Sequence, residues 1–140
     1  MSLATLLGAI MRLIRFDGQM IRRFPRKMRL AKREDIKTVF RRRCVVRDRK
    51  MTIYFATNGL GVSRLGLSVG RKCGPAVVRN LIKRRIREAF RLSGIGLSRP
   101  GYDLLCIPGS DAVHAMCDYR DSLEEMLPRG ITKLRRQQPA

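Results

Sequence analysis

Residues 77–91 form the most strongly cationic stretch of this chain of 140 residues, and their spacing separates them from the apolar residues. On a helix at about 100° per residue, the apolar residues fall within an arc of roughly 120°. They are Val78, Ile82, Ile86, Ala89 and Phe90. The adjoining arc holds six polar residues: Arg79, Asn80, Lys83, Arg84, Arg87 and Arg91. Cations crowded on one face repel each other unless an anion lies opposite. The spacing suits a phosphate backbone and predicts a nucleic-acid-binding face, whereas a merely solvated basic face is the alternative.

The composition of the whole chain favours the same class of partner. It has 31 Lys and Arg against 11 Asp and Glu, which gives a formal net charge of +20. Such a charge indicates a polyanionic partner, with RNA, DNA and an anionic membrane surface as the candidates. A hydrophobic content of 44% is ordinary for a folded chain. The length then predicts one domain with a modest core.

The residues that could hold a metal or catalyse a reaction are few and dispersed. Cys44, Cys73, Cys106 and Cys117 form no Cys-x-x-Cys pair, and the single histidine is His114. A lone His-x-x-Cys spacing is a poor zinc signal, and no Ser-His or Cys-His arrangement with an acidic partner is visible. We therefore expect no catalytic residue and no metal ligand in the protein, and reduced thiols in a cytoplasmic location.

A second candidate site follows from two segments of alternating polarity. Lys50–Thr57 places Met51, Ile53 and Phe55 on one face and Tyr54 on the other, and Arg64–Gly70 turns Gly66, Ser68 and Gly70 outward. An aromatic ring beside small residues and cations can stack an unpaired base, at about 1–3 kcal/mol per base. The alternative is a partly exposed tyrosine without a role.

These two surfaces need helices and strands to position them, and hydrophobic periodicity predicts an α+β fold. The predicted helices are Lys32–Arg42, the basic helix, and Asp118–Leu127, which should end at Pro128. The predicted strands are Lys50–Thr57, Arg64–Gly70 and Leu104–Ile107. Ser93–Gly101 reads as a loop.

The ends of the chain differ in composition from the middle, which suggests three regions. Residues 1–27 are predicted to be an N-terminal extension, either a mis-assigned start or a disordered segment. Residues 28–127 would form an α+β domain that binds nucleic acid, and 128–140 a basic disordered tail. The first apolar run is too short to span a bilayer, and its positive charge follows it, unlike a secretory signal. An amphipathic helix on a membrane surface is the alternative, but no stable membrane association is expected.

Four blocks of the sequence resemble the bacterial ribonuclease P protein subunit. Arg79-Asn80, Lys83-Arg84 and Arg87-Glu88 are similar to that family's Arg-Asn-Arg-x-x-Lys-Arg-x-x-Arg-Glu signature, with Leu81 in place of the third residue. The other blocks are Arg29–Phe40, Arg64–Lys72 and Tyr102–Leu105, in the family's order and spacing. The resemblance implies a two-layer sandwich of a four-stranded sheet and helices, in the order α-β-β-β-α-β-α. It also implies a left-handed β-α-β crossover, which periodicity could not have indicated because the usual hand is right.

The resemblance also implies a function. A member of this family is the protein subunit of an RNA-based endonuclease, a hydrolase that removes the 5′ leader of precursor tRNA. Its partners would be the catalytic RNA, bound by the basic helix, and precursor tRNA. Mg²⁺ would be bound mainly by the RNA, which carries the chemistry. A generic basic RNA-binding or ribosomal protein is the alternative.

The family's leader-binding cleft lies between the first helix and the sheet. Carried over residue by residue, the cleft would be lined by Ile36, Phe40, Tyr54, Ser68, Arg71 and Lys72. Ile36 replaces an aromatic residue of the family, so this chain should offer one stacking surface fewer on its first helix.

Overall fold

A computed structural model describes residues 24–95, 101–109, 114 and 116–137. Within these residues, three α-helices and four strands follow one another in the predicted order α-β-β-β-α-β-α, which confirms the α+β class. The elements are α1 (Arg33–Arg42), β1 (Cys44–Arg47), β2 (Met51–Thr57), β3 (Arg64–Leu67), α2 (Ala76–Ser93), β4 (Tyr102–Pro108) and α3 (Met116–Gln137).

The four strands form one mixed sheet in the order β1-β2-β4-β3. β1 pairs with β2, and β2 with β4, in antiparallel fashion, whereas β3 and β4 are parallel. Parallel neighbours need a crossover connection, and the basic helix α2 provides it. The left-handed sense of that crossover stays a prediction.

The two faces of the sheet are covered differently. On one face α2 and α3 pack over the main core, which includes Ile53, Phe55, Leu104 and Cys106, all fully buried. On the other face α1 covers a smaller cluster centred on Val39 and Leu105. The predicted alternation along β2 is confirmed, since Met51, Ile53 and Phe55 all point into the main core.

The segment before α1 adds a contact that periodicity did not indicate. Leu30 donates its backbone N–H to the carbonyl of Leu65 at 3.0 Å, and Arg29 forms a parallel bridge with Leu65. A Cβ on Gly66 would lie 3.0 Å from the carbonyl oxygen of Leu30. Gly66 was expected to leave an open surface, but this glycine instead allows the preceding segment to pack on β3.

The C-terminal prediction was wrong. α3 continues through Pro128 to Gln137 rather than ending there, so residues 128–137 are helical and not a disordered tail. A proline inside a helix removes one hydrogen bond at a cost of about 3 kcal/mol. Burial of Leu134 and partial burial of Ile131 offset that cost. Gly130 also lets α3 approach Phe55 closely, because a Cβ there would lie 2.3 Å from the ring.

The N-terminal boundary also lies earlier than predicted. Phe24 contacts Phe90 of the main core edge to face, with ring centroids 5.6 Å apart. Residues 24–27 therefore belong to the folded domain rather than to an extension. The remainder of the proposed extension, residues 1–23, and residues 138–140 of the proposed tail lie outside the described residues.

Candidate nucleic-acid interface

α2 is the element that carries the basic face. Pro75 precedes its first turn with an extended conformation, and Gly94 ends it in the left-handed conformation at φ 75°, which glycine adopts without strain. Ile82, Ile86, Ala89 and Phe90 are fully buried and Val78 packs at the edge of the core. The predicted division of this helix into an apolar and a cationic face is therefore confirmed.

The six predicted polar residues differ in their surroundings. Asn80 and Arg84 are exposed, whereas Arg79, Lys83, Arg87 and Arg91 are half-buried. Burial, with a smaller contribution from the nearby charge of Arg29, lowers the pKa of Arg87. An anion placed opposite such crowded cations would relieve their repulsion.

Two residues of α2 have local partners. Arg91 donates from Nε to Oε2 of Glu88 at 3.0 Å, and a second hydrogen bond joins the same pair. These bonds lower the pKa of Glu88, so its carboxylate stays ionised and paired with Arg91. Arg85, which the sequence did not assign to the basic face, donates to the carbonyl of His114 at 2.7 Å. Arg85 thus ties α2 to the segment before α3.

An open groove of about 670 Å³ runs along the exposed side of α2. Its apolar lining comes from Phe24, Val77 and Leu81, and its polar lining from Asn80, Arg84, Arg87 and Glu88. Three of the six predicted contact residues therefore lie around one concave surface. Sequence reasoning missed Phe24 and Val77, because neither belongs to the cationic pattern.

The predicted cleft residues on α1 and β2 do come together. The rings of Phe40 and Tyr54 have centroids 4.7 Å apart and an interplanar angle of 56°. Phe40 is 40% exposed, and Tyr54 and Ile36 are half-buried against the smaller cluster. This surface is an aromatic pair open to solvent on one side.

The predicted polar residues of the cleft lie further along the sheet edge. Ser68 is exposed just after β3 and donates its backbone N–H to the carbonyl of Cys106 at 3.0 Å. Arg71 and Lys72 are exposed in the short 3-10 turn Arg71–Cys73 between β3 and α2. Among the described residues, no hydrogen bond, ion pair or ring contact joins these three side chains to the aromatic pair.

A charged network anchors α1 to the sheet. Arg64 of β3 forms two hydrogen bonds to the buried carboxylate of Asp103 on β4, at 2.8 and 2.7 Å, and contacts Asp35 of α1 at 3.4 Å. Asn58 donates to the same carboxylate at 2.9 Å. The hydrogen bonds to Asp103 raise the pKa of Arg64 against the opposing effect of burial. The alternation pattern placed Arg64 outward but gave no sign of this network.

The thiols have no disulfide partners. Cys44, Cys73, Cys106 and Cys117 are all free, and complete burial raises the pKa of Cys106 to about 12. Between Phe24 and Gln137, the described parts of the chain contain no group of three acidic, histidine or cysteine side chains placed to hold a metal. The described helices include none that is long and apolar enough to cross a membrane.

Comparison with known proteins identifies a family that this chain resembles along most of its length. The family model for ribonuclease P matches residues 24–131. The ribonuclease P protein component of Caldanaerobacter subterraneus is 36% identical over 102 residues, which cover 72% of this chain and 87% of that protein. The relative from Thermotoga petrophila is 41% identical over 61% of this chain and 72% of that protein.

Solved structures show the same fold. The RNase P protein from Thermotoga maritima superposes with a TM-score of 0.63 at 33% identity, over 72% of this chain and 96% of that chain. The RNase P protein of Staphylococcus aureus has a TM-score of 0.62 at 30% identity, over 76% and 96% of the two chains.

Proposed function

The chain belongs to the ribonuclease P protein family, and we propose from this premise that it binds the catalytic RNA of that endoribonuclease through the cationic face of α2. The exposed surface formed by Phe40 and Tyr54 would then receive the 5′ leader of precursor tRNA. The hydrolysis would be carried out by the RNA with its Mg²⁺ ions, and the process would take place in the cytoplasm.

The observation that carries this proposal is the one-sided cationic face of α2. Two of its residues, Asn80 and Arg84, are exposed, and the single acidic side chain beside them, Glu88, is already bound to Arg91. The face thus offers positive charge without an acidic competitor, as binding to closely spaced phosphates requires.

Arg79 supplies a second argument. Its Nε is buried and has no hydrogen-bond acceptor among the described residues. A buried donor without an acceptor costs about 1–3 kcal/mol. An RNA phosphate that draws the guanidinium outward would remove this cost, so part of the binding free energy would come from relief of an unfavourable arrangement in the free protein.

The test is the salt dependence of RNA binding. The double variant Lys83→Gln/Arg84→Gln should bind the ribonuclease P RNA of the same genome more weakly, and the slope of log K against log salt should fall by roughly 0.7–0.9 for each lost phosphate contact. Filter binding at several salt concentrations gives both quantities.

A matched control removes the same charge elsewhere. Arg135→Gln/Arg136→Gln changes two exposed cations at the end of α3 and should leave the affinity and slope nearly unchanged. Equal effects of the two double variants would mean that net charge rather than α2 determines binding. Co-purification of ribosomes rather than one structured RNA would favour the generic RNA-binding alternative.

A further inference from the structure

The groove beside α2 contains a feature that phosphate binding does not explain. Val77 is 79% exposed, and together with Leu81 and Phe24 it lines the same groove as the cations Arg84 and Arg87. A phosphate backbone gains nothing from apolar contacts. Exposed apolar groups that line a concave surface with a polar rim indicate a binding site.

The geometry of this apolar lining restricts what could occupy the groove. Val77 and Leu81 are four residues apart on one helix, so their side chains are neighbours on its surface. Phe24 adds an aromatic edge, and its ring is held in place by Phe90. Together they give the groove an apolar part of its lining, beside the hydrogen-bonding groups of the same groove.

The rim of the groove determines the charge of the occupant. Arg84 and Arg87 lie on it, and the carboxylate of Glu88 is engaged by Arg91. The rim is therefore cationic in effect. The exposed amide of Asn80 provides both donors and an acceptor. An occupant must then combine an apolar planar group with polar edges and attached negative charge.

We propose that this groove binds an unstacked nucleobase of the same RNA that α2 contacts, an inference that rests on the proposed function. The base lies against Leu81 and Val77, the Asn80 amide hydrogen-bonds its edge, and Arg84 and Arg87 hold the flanking phosphates. Residues 1–23 of this chain are the competing occupant, since they are rich in leucine. Their four arginines, Arg12, Arg15, Arg22 and Arg23, would oppose the cationic rim.

The first test truncates the apolar lining without altering charge. The variant Val77→Ala/Leu81→Ala keeps good helix formers in α2, and it should lose about 5- to 30-fold in affinity for the ribonuclease P RNA, the range expected when about 40–80 Å² of apolar contact with a base is lost. The slope of log K against log salt should stay at the wild-type value, because no phosphate contact is lost. Leu60→Ala, a single truncation at an exposed leucine in the turn after β2, is the control and should bind like wild type.

Two outcomes of this experiment overturn the base site. One is a double variant that binds the RNA with wild-type affinity. The other is a loss of affinity that is accompanied by a smaller slope of log K against log salt. Failure of the proposed function looks different, because Lys83→Gln/Arg84→Gln would then weaken RNA binding no more than Arg135→Gln/Arg136→Gln does.

The second test observes the groove directly by methyl NMR on the full chain. Adenosine 5′-monophosphate should shift the methyl resonances of Val77 and Leu81, whereas ribose 5-phosphate, which lacks the base, should not. Equal shifts by both probes would show phosphate binding alone and refute the base site. Nuclear Overhauser contacts from these methyls to Leu3, Leu6 or Leu7 that persist with the nucleotide would assign the groove to the N-terminal segment instead.

Discussion

Replacement of Tyr54 by alanine should weaken binding of precursor tRNA to the assembled enzyme while leaving mature tRNA unaffected. The ring centroids of Tyr54 and Phe40 lie 4.7 Å apart, and the pair is open to solvent. A leader base can therefore stack on one of the two rings. Loss of one stacked base costs about 1–3 kcal/mol, which corresponds to a 5- to 150-fold weaker Kd for precursor tRNA.

The companion variant Phe40→Ala is a usable probe because Phe40 is 40% exposed. Truncation of a fully buried phenylalanine costs about 3–5 kcal/mol of stability, and half-exposure places Phe40 well below that. The two rings contact each other, so their contributions to binding are coupled. The double variant should therefore lose less binding free energy than the sum of the two single losses, by about 0.5–1.5 kcal/mol.

The assay is a titration of the holoenzyme with precursor tRNAs whose leaders increase in length, and with mature tRNA. Tyr54→Phe keeps the ring and should bind like wild type, which isolates stacking from the hydroxyl group. If Tyr54→Ala weakens precursor and mature tRNA equally, the aromatic pair does not contact the leader, and the tyrosine has only a packing role.

Three further predictions concern the framework that holds these surfaces. Gly130→Ala should lower the free energy of unfolding by about 1–3 kcal/mol in urea denaturation, since its Cβ would overlap the ring of Phe55; a neutral effect would contradict the close approach. Asp103→Asn should cost about 2–3 kcal/mol in the same assay, because Arg64 loses its charged acceptor; a thermal-unfolding midpoint equal to wild type would show that the network is dispensable. Burial would raise the pKa of Asp48, but hydrogen bonds from a serine side chain and two backbone N–H groups outweigh it and lower that pKa. The contribution of Asp48 to the free energy of unfolding is therefore full above the ordinary carboxyl pKa, and it is lost as the pH falls through the lower pKa of the folded state. Asp48→Asn should flatten this acid decline in unfolding titrations between roughly pH 2 and 5, and an identical decline in both proteins would contradict the assignment.

The sequence predicted the parts of the fold that depend on local periodicity. α2 was predicted with its buried and cationic faces because its pattern repeats over five turns, and β2 because Met51, Ile53 and Phe55 alternate with polar residues. The crossover topology could be predicted only from resemblance, since no local pattern specifies which strands become neighbours.

What could not be predicted depends on contacts between distant residues. Pro128 is a strong local signal for a helix end, but burial of Leu134 against the core outweighs it. The alternation pattern predicted that Gly66 lies on an open surface, but the segment at Leu30 packs against it. The Arg64–Asp103 pair joins residues that no spacing rule connects. Phe24 lay outside the predicted domain for the same reason.

The position of β4 in the sheet has a consequence for the order of folding during synthesis. β2 and β3 are consecutive in the chain, yet they are not neighbours, because β4 lies between them and pairs with both. A ribosome releases β1, β2, β3 and α2 before β4, so the nascent chain carries its cationic helix before the sheet that supports it can close. Long-range pairings of this kind form late and slowly. The sheet therefore closes only once β4 is inserted, and a chain interrupted before Tyr102 would carry the cationic residues of α2 without the strand that joins β2 to β3.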